Sequence, residues 1–152
     1  MVARGARSDL LLAAALGDFN LVRRHLDVEP GAIAMRVDQD WFPMIHTAPN
    51  GGHIYQWTLG FHVSAFDVAR KRGHAEVLAL LLAHARPLER LLDAVWCGDA
   101  ARAEAVLDAD PQLVQRAPEK VLRQIAHAWL PTGDEALDQV LRARFLAERD
   151  QR

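Results

Sequence analysis

Three histidines, His46, His53 and His62, share one short stretch with Tyr55, and two carboxylates, Asp38 and Asp40, stand just ahead of them. Imidazole and carboxylate are the groups that ligate zinc or move protons near neutral pH. The intervals of seven and nine residues between these histidines match no compact ligand motif, and no pair of thiolates assists them. Scattered or hydrogen-bonded histidines are therefore the expectation, with no metal and no cofactor. The single cysteine, Cys97, excludes an internal disulfide and fits a reducing compartment. A catalytic thiol would need a histidine beside it, so Cys97 reads as a small buried residue at a helix end. The chain contains no GxSxG, no His-Glu-x-x-His and no phosphate-binding glycine loop, and Gly51-Gly52 is only a turn signal.

The elements that would position these residues emerge from an internal repeat. Superposing Gly17, Gly73 and Gly98 aligns an alanine four residues before each (Ala13, Ala69, Ala94) and a large apolar residue seven before (Leu10, Phe66, Leu91). A leucine follows nine residues after each (Leu26, Leu82, Leu107), and a polar residue follows directly (Asp18, His74, Asp99). Ser8 and Ser64 stand where an N-cap is needed. The pattern predicts two short antiparallel helices joined by a turn, the glycine ending the first in a left-handed conformation. Val77, Leu78, Leu81 and Leu82 form an apolar stripe at helical spacing in the second. No such pair buries its apolar faces alone, so pairs must stack. A second echo aligns Leu26–Ile33 with Leu107–Val114; in both, a proline (Pro30, Pro111) stops a helix and an apolar residue follows three positions later.

The stretch Ser64–Leu82 resembles an ankyrin repeat, with Ser64 where that family usually has Thr, Ala65 for Pro and Asp67 for His. The copies around Gly17 and Gly98 are degenerate but in register. A fourth pair, Glu119–Leu130 and Asp134 to Ala147, departs from the pattern through the longer turn Pro131-Thr132-Gly133. The resemblance implies an all-α, ankyrin-like stack of about four helix-turn-helix pairs in a single domain. The pairs are expected over 8–28, 64–85, 89–109 and 119–147. It also implies protein binding rather than catalysis.

The glycine spacing locates an insertion. Gly17 and Gly73 lie 56 residues apart and Gly73 and Gly98 only 25, against an ankyrin period of about 33. The excess falls at 37–63, after the first pair. Five of the ten aromatic residues sit there: Trp41, Phe42, Tyr55, Trp57 and Phe61. From Val37 to Ala69 there is no lysine or arginine. Trp41–His46, a turn signal over Thr47–Gly52, and alternation along His53–Leu59 predict a β-hairpin or ordered loop ended by Gly60. On that reading Tyr55 and Trp57 share a face, Phe61 joins the core, and Trp41 and Trp57 are exposed. Gly51–Trp57 also resembles a segment of bacterial ankyrin-repeat proteins of undefined function.

Composition narrows the rest. With 152 residues, 51% apolar and 25% charged, the chain can bury a sizeable core. A net charge of −2 gives no general case for nucleic acid or an anionic membrane. No apolar run is long enough for a membrane span, and Met1–Arg7 lacks the apolar centre of a signal peptide, so a cytoplasmic monomer is expected. The final helix carries Glu135, Asp138, Arg142, Arg144, Glu148 and Arg149, which suits a self-capping end. The expected function is a non-enzymatic module that binds a protein or peptide through its concave face and the aromatic insertion. The contact residues are Trp41, His53, Tyr55, Trp57, His62, Arg70 and Arg72. Arg70-Lys71-Arg72 is the one tight basic cluster, and favourable charge at a helix C-terminus is its simpler explanation. The alternative is an enzyme or small-ligand-binding protein with a pocket under the insertion lined by His53, Tyr55 and His62.

Overall fold

The computed structural model describes residues 8–43, 54–129 and 135–149, with the side chains of 126–129 and 144–149 excepted. Among them are ten α-helices and no sheet, an all-α architecture. The chain divides into two compact units, 1–84 and 85–152.

In the first unit, α1 (Leu10–Leu16) and α2 (Phe19–Val28) form one antiparallel pair, and α4 (Ala65–Lys71) and α5 (Ala75–His84) form another. A 3-10 turn over Pro30–Ala34 and the short α3 (Ile54–Thr58) lie between them in sequence. First helix packs on first helix and second on second: α1 lies against α4, and α2 against α5. Leu10, Ala13, Phe66 and Ala69, all fully buried, belong to the first contact; Val22, Leu26, Val77 and Leu81 are the buried residues of the second pair. Leu81 rather than Leu82 takes the fully buried place in α5, one residue off the expected register.

The second unit repeats the scheme. α6 (Pro87–Trp96) pairs with α7 (Ala100–Ala109), α6 packs on α9 (Glu119–Trp129) and α7 on α10 (Glu135–Arg149), with α8 (Leu113–Arg116) contacting α10. Its core gathers Leu91, Ala94, Leu107, Ile125, Leu137 and Leu141. The connection Pro131–Gly133 lies outside the described residues.

The glycine register has one physical cause in all three copies. Gly17, Gly73 and Gly98 adopt φ of 68°, 73° and 72°, a region that side chains disfavour. That turn lets the following N–H reach back to the aligned alanine: Asp18 to Ala13, His74 to Ala69 and Asp99 to Ala94, at 3.1, 2.9 and 2.8 Å. The glycine N–H bonds the carbonyl one residue further on (Ala14, Arg70, Val95), completing a Schellman closure of each helix. The polar residue after the glycine has two different jobs. Asp18 and Asp99 cap the next helix by accepting from the N–H of Leu21 and Arg102. His74 instead places Nε2 3.3 Å from the Ala15 carbonyl and lies against Gly17.

The N-caps correct one expectation. Ser64 caps α4 in a reciprocal box with Asp67, as its position predicts. Ser8 does not cap α1; Asp9 does, its Oδ1 accepting from Leu12 N–H at 2.8 Å. Carboxylate and hydroxyl are both good caps, so the neighbouring acid displaces the serine. Ser8 Oγ instead lies 3.2 Å from His25 Nε2.

The proline echo is also structural. Glu29 and Asp110 have nearly the same backbone (φ −138°, ψ 85° and φ −141°, ψ 84°) and bond back to His25 and Val106. Pro30 and Pro111 follow, and Ile33 and Val114 fold inward to become buried. Cys97 departs from the sequence reading: it is exposed, one residue past α6, because Leu91, Leu92, Ala94 and Val95 take the inward positions. Two buried acids on α6 carry structure instead. Asp93 pairs with Arg102 of α7, and Glu89 accepts from the Arg86 guanidinium at 2.5 and 3.0 Å.

Candidate functional site

The insertion is tied to the first unit at its base and at its middle. At the base, Arg36 and Ser64 form an isolated antiparallel bridge; Val37 N–H donates to Val63 O at 3.0 Å and His62 N–H to Val37 O at 2.9 Å. The buried Arg36 donates to the His62 carbonyl at 3.1 Å. His62 itself holds φ of 62°, a left-handed backbone that costs a non-glycine residue energy and persists only where contacts on both sides impose it. Past the bridge, the buried Asp38 folds the chain: its Oδ1 accepts from Asp40 and Trp41 N–H at 3.0 and 3.2 Å.

Within the segment expected to be a strand or ordered loop, Ile54–Thr58 is a helix. α3 (Ile54–Thr58) is one turn, closed by Leu59 N–H to Tyr55 O at 2.8 Å and by Thr58 Oγ1 to Ile54 O at 2.9 Å, and ended at Gly60 with φ of 100°. A strand would need a partner to satisfy its backbone, whereas a helical turn satisfies its own groups. The change of period re-sorts the side chains. Tyr55 turns inward, edge-on to the buried Phe42 with ring centroids 5.1 Å apart, and its hydroxyl donates to Asp9 Oδ2 at 2.9 Å. One carboxylate thus caps α1 and holds the insertion. Burial first, then the Asp9 hydrogen bond and its negative charge, push the Tyr55 phenol well above its ordinary value.

The outward positions are Ile54 and Trp57, three residues apart on one side of the turn. They are 62% and 68% exposed, and Phe61, just beyond Gly60, is 57% exposed. Phe61 was expected in the core; the anchoring aromatics are Phe42 and Tyr55 instead. Trp41, expected to be exposed, is half-buried beside the Asp38 turn, whereas Trp57 is exposed as expected.

The remaining sequence candidates disperse. His53 and His46 lie outside the described residues. His62 is half-buried at the base. Arg70 pairs with Asp67 at 3.6 Å, and Arg72 is the exposed residue that ends α4, as helix-terminal charge would be. Sequence reasoning missed Ile54, Phe42, Asp9 and Arg36. An i, i+3 reading of Ile54 and Trp57 would have found the first; the other roles depend on contacts 13, 26 and 46 residues away in the chain.

Among the described residues, no group of three or more His, Cys, Asp or Glu side chains could hold a metal ion, and no helix is long and apolar enough to cross a membrane. One open hollow of about 430 Å³ lies on the first unit, lined by Phe19, Glu76, Ala79 and Leu80 on α2 and α5. Fold and site together define an all-α protein of paired helices bearing an anchored aromatic insertion. Compared with protein-family models, curated proteins and solved structures, the chain gives no significant match to any of them.

Proposed function

We propose that this protein is a non-enzymatic interaction module of ankyrin-like type, which binds a protein or peptide through the exposed side of its insertion. The observation that supports the reading is the division of labour among the insertion's apolar residues. Phe42 and Tyr55 pack inward, while Ile54, Trp57 and Phe61 face solvent. A residue needed only to order the loop has no reason to stay exposed. Exposed aromatic residues on an anchored support give large contact area at low entropic cost. The same-with-same packing of α1 on α4 and α2 on α5, and of α6 on α9 and α7 on α10, supports the repeat-stack reading within each unit.

The competing reading, a pocket lined by His53, Tyr55 and His62, has less support. The Tyr55 hydroxyl is engaged by Asp9, and the described hollow has a different lining. The test is quantitative affinity purification from the native cell with wild-type chain and the triple variant Ile54→Ser, Trp57→Ser, Phe61→Ser. The expected result is a partner that co-purifies with the wild type, binds it as a purified pair, and is lost with the folded variant. Equal recovery by both would overturn the reading.

A further inference from the structure

We infer that the insertion is an element added to a complete fold: the first unit keeps its helices without Asp38–His62, whether or not that segment binds a partner. The second unit supplies the comparison, being built on the same plan without such a segment. At a constant spacing of 81 residues, Leu11, Val22 and Ile33 match Leu92, Ala103 and Val114, all of them buried. The helix-ending glycine, the capping aspartate and the helix-stopping proline coincide at the same spacing. Beyond Ile33 and Val114 the two copies part. Thirty-one residues separate Ile33 from α4, whereas four separate Val114 from α9. The register then resumes in the last helix of each unit, where the buried Val77 and Leu81 match Leu137 and Leu141 at a spacing of 60. With only four residues in the connection, α6 still packs on α9 and α7 on α10, as α1 does on α4 and α2 on α5.

The ends of the segment meet as those of a tight hairpin do. Arg36 bridges Ser64, Val37 N–H donates to Val63 O, His62 N–H donates to Val37 O, and His62 is left-handed. These are the closing bonds of a three-residue hairpin loop, in which a type I turn is followed by one left-handed residue. The 25 residues of Asp38–His62 therefore leave and return through a mouth that three residues can span. Asp9 caps α1 through Oδ1, and that bond does not require Tyr55 on Oδ2. Removing the segment loses the contacts of Phe42 and Tyr55, but it also removes the entropy cost of ordering the segment and closing a long loop.

The test replaces Asp38–His62 by Pro-Asp-Gly in the otherwise full chain. Proline and aspartate suit the type I turn. Glycine takes the left-handed place of His62 and keeps the main-chain carbonyl that Arg36 binds. A second variant carries a flexible Gly-Ser linker of about ten residues in place of the tight turn. Amide hydrogen exchange, read peptide by peptide with mass spectrometry, compares both with the intact chain. The expected result is protection of α1, α2, α4 and α5 within about tenfold of the intact chain in at least one variant. Folding of the linker variant alone would place the fault in the turn and uphold the proposal. A greater loss of protection in α1 and α4 in both variants, or failure of both to fold, would overturn it and make the insertion part of the first unit's core. Neither variant is read by partner capture, so this outcome is separate from that of the binding reading.

Discussion

Gly17 and Gly73 share a backbone conformation but not an environment, and the difference is measurable. At both, alanine would adopt a left-handed φ, a strain of about 1–2 kcal/mol. The loss of unfolded-chain entropy returns about 0.4–1 kcal/mol. A Cβ added at Gly73 meets nothing within 4 Å, so Gly73→Ala should cost about 1 kcal/mol in net terms. At Gly17 the same atom would stand 2.7 Å from His74 Nδ1 and 2.9 Å from its Cγ, closer than van der Waals contact permits. The ring must swing away and give up its position 3.3 Å from the Ala15 carbonyl, a hydrogen bond worth about 1 kcal/mol. Gly17→Ala should therefore destabilise the first unit by about 2 kcal/mol, roughly twice the Gly73 effect. Urea unfolding followed by far-ultraviolet circular dichroism reads both. In a His74→Ala background the Gly17→Ala cost should fall to the Gly73 level, because the obstructing ring is gone. Strictly additive effects in that double-mutant cycle, or a Gly17 variant as stable as the Gly73 variant, would refute the reasoning.

Other contacts yield sharper local tests. Tyr55→Phe removes a hydrogen bond to a carboxylate and should cost about 1.5–3 kcal/mol at neutral pH, less whatever solvent already shares with this half-buried group. Because the folded phenol is raised, its contribution is complete below the ordinary value near pH 10 and is lost as pH rises toward the folded value. Tyr55 is the sole tyrosine, so tyrosinate absorbance should appear only above the free-phenol range, and an ordinary titration curve would count against the Asp9 contact. Arg102→Ala removes the guanidinium that pairs with the buried Asp93 carboxylate and should destabilise the second unit by about 1–3 kcal/mol, below the full buried-pair figure because Arg102 is half-exposed. Arg102→Ala with Asp93→Asn should recover most of that loss in thermal unfolding. Ser64→Ala should cost about 1 kcal/mol through its cap, Asp9→Ala more because cap and Tyr55 acceptor go together, and Ser8→Ala least in the same assay. A Ser8 effect as large as that of Asp9 would contradict the cap assignment.

The paired helices were legible in the sequence because their determinants are local. Glycine ends a helix by its own conformational freedom, proline stops one by lacking an N–H, and Ser64 and Asp67 meet within a single turn. The insertion was legible in position and composition but not in form. Its alternation of apolar and polar residues fits a strand, and α3 is too short for helical periodicity to assert itself over seven residues. Which choice prevails depends on whether a partner strand is at hand, and Val37 pairs with His62 and Val63 rather than with Tyr55 or Trp57.

The amino-acid order by itself therefore determined the repeat register, the helix ends and the place where the repeat is interrupted, all properties settled within a few residues of chain. Tertiary structure alone decided which residues anchor the interruption. Asp9 reaches Tyr55 across 46 residues and Arg36 reaches the His62 carbonyl across 26, and those two contacts turn Tyr55 inward and fix the base of the loop. Ile54, Trp57 and Phe61 are left facing solvent. Side chains this far apart in sequence are neighbours only after the helices have packed, so no local pattern carries those two contacts.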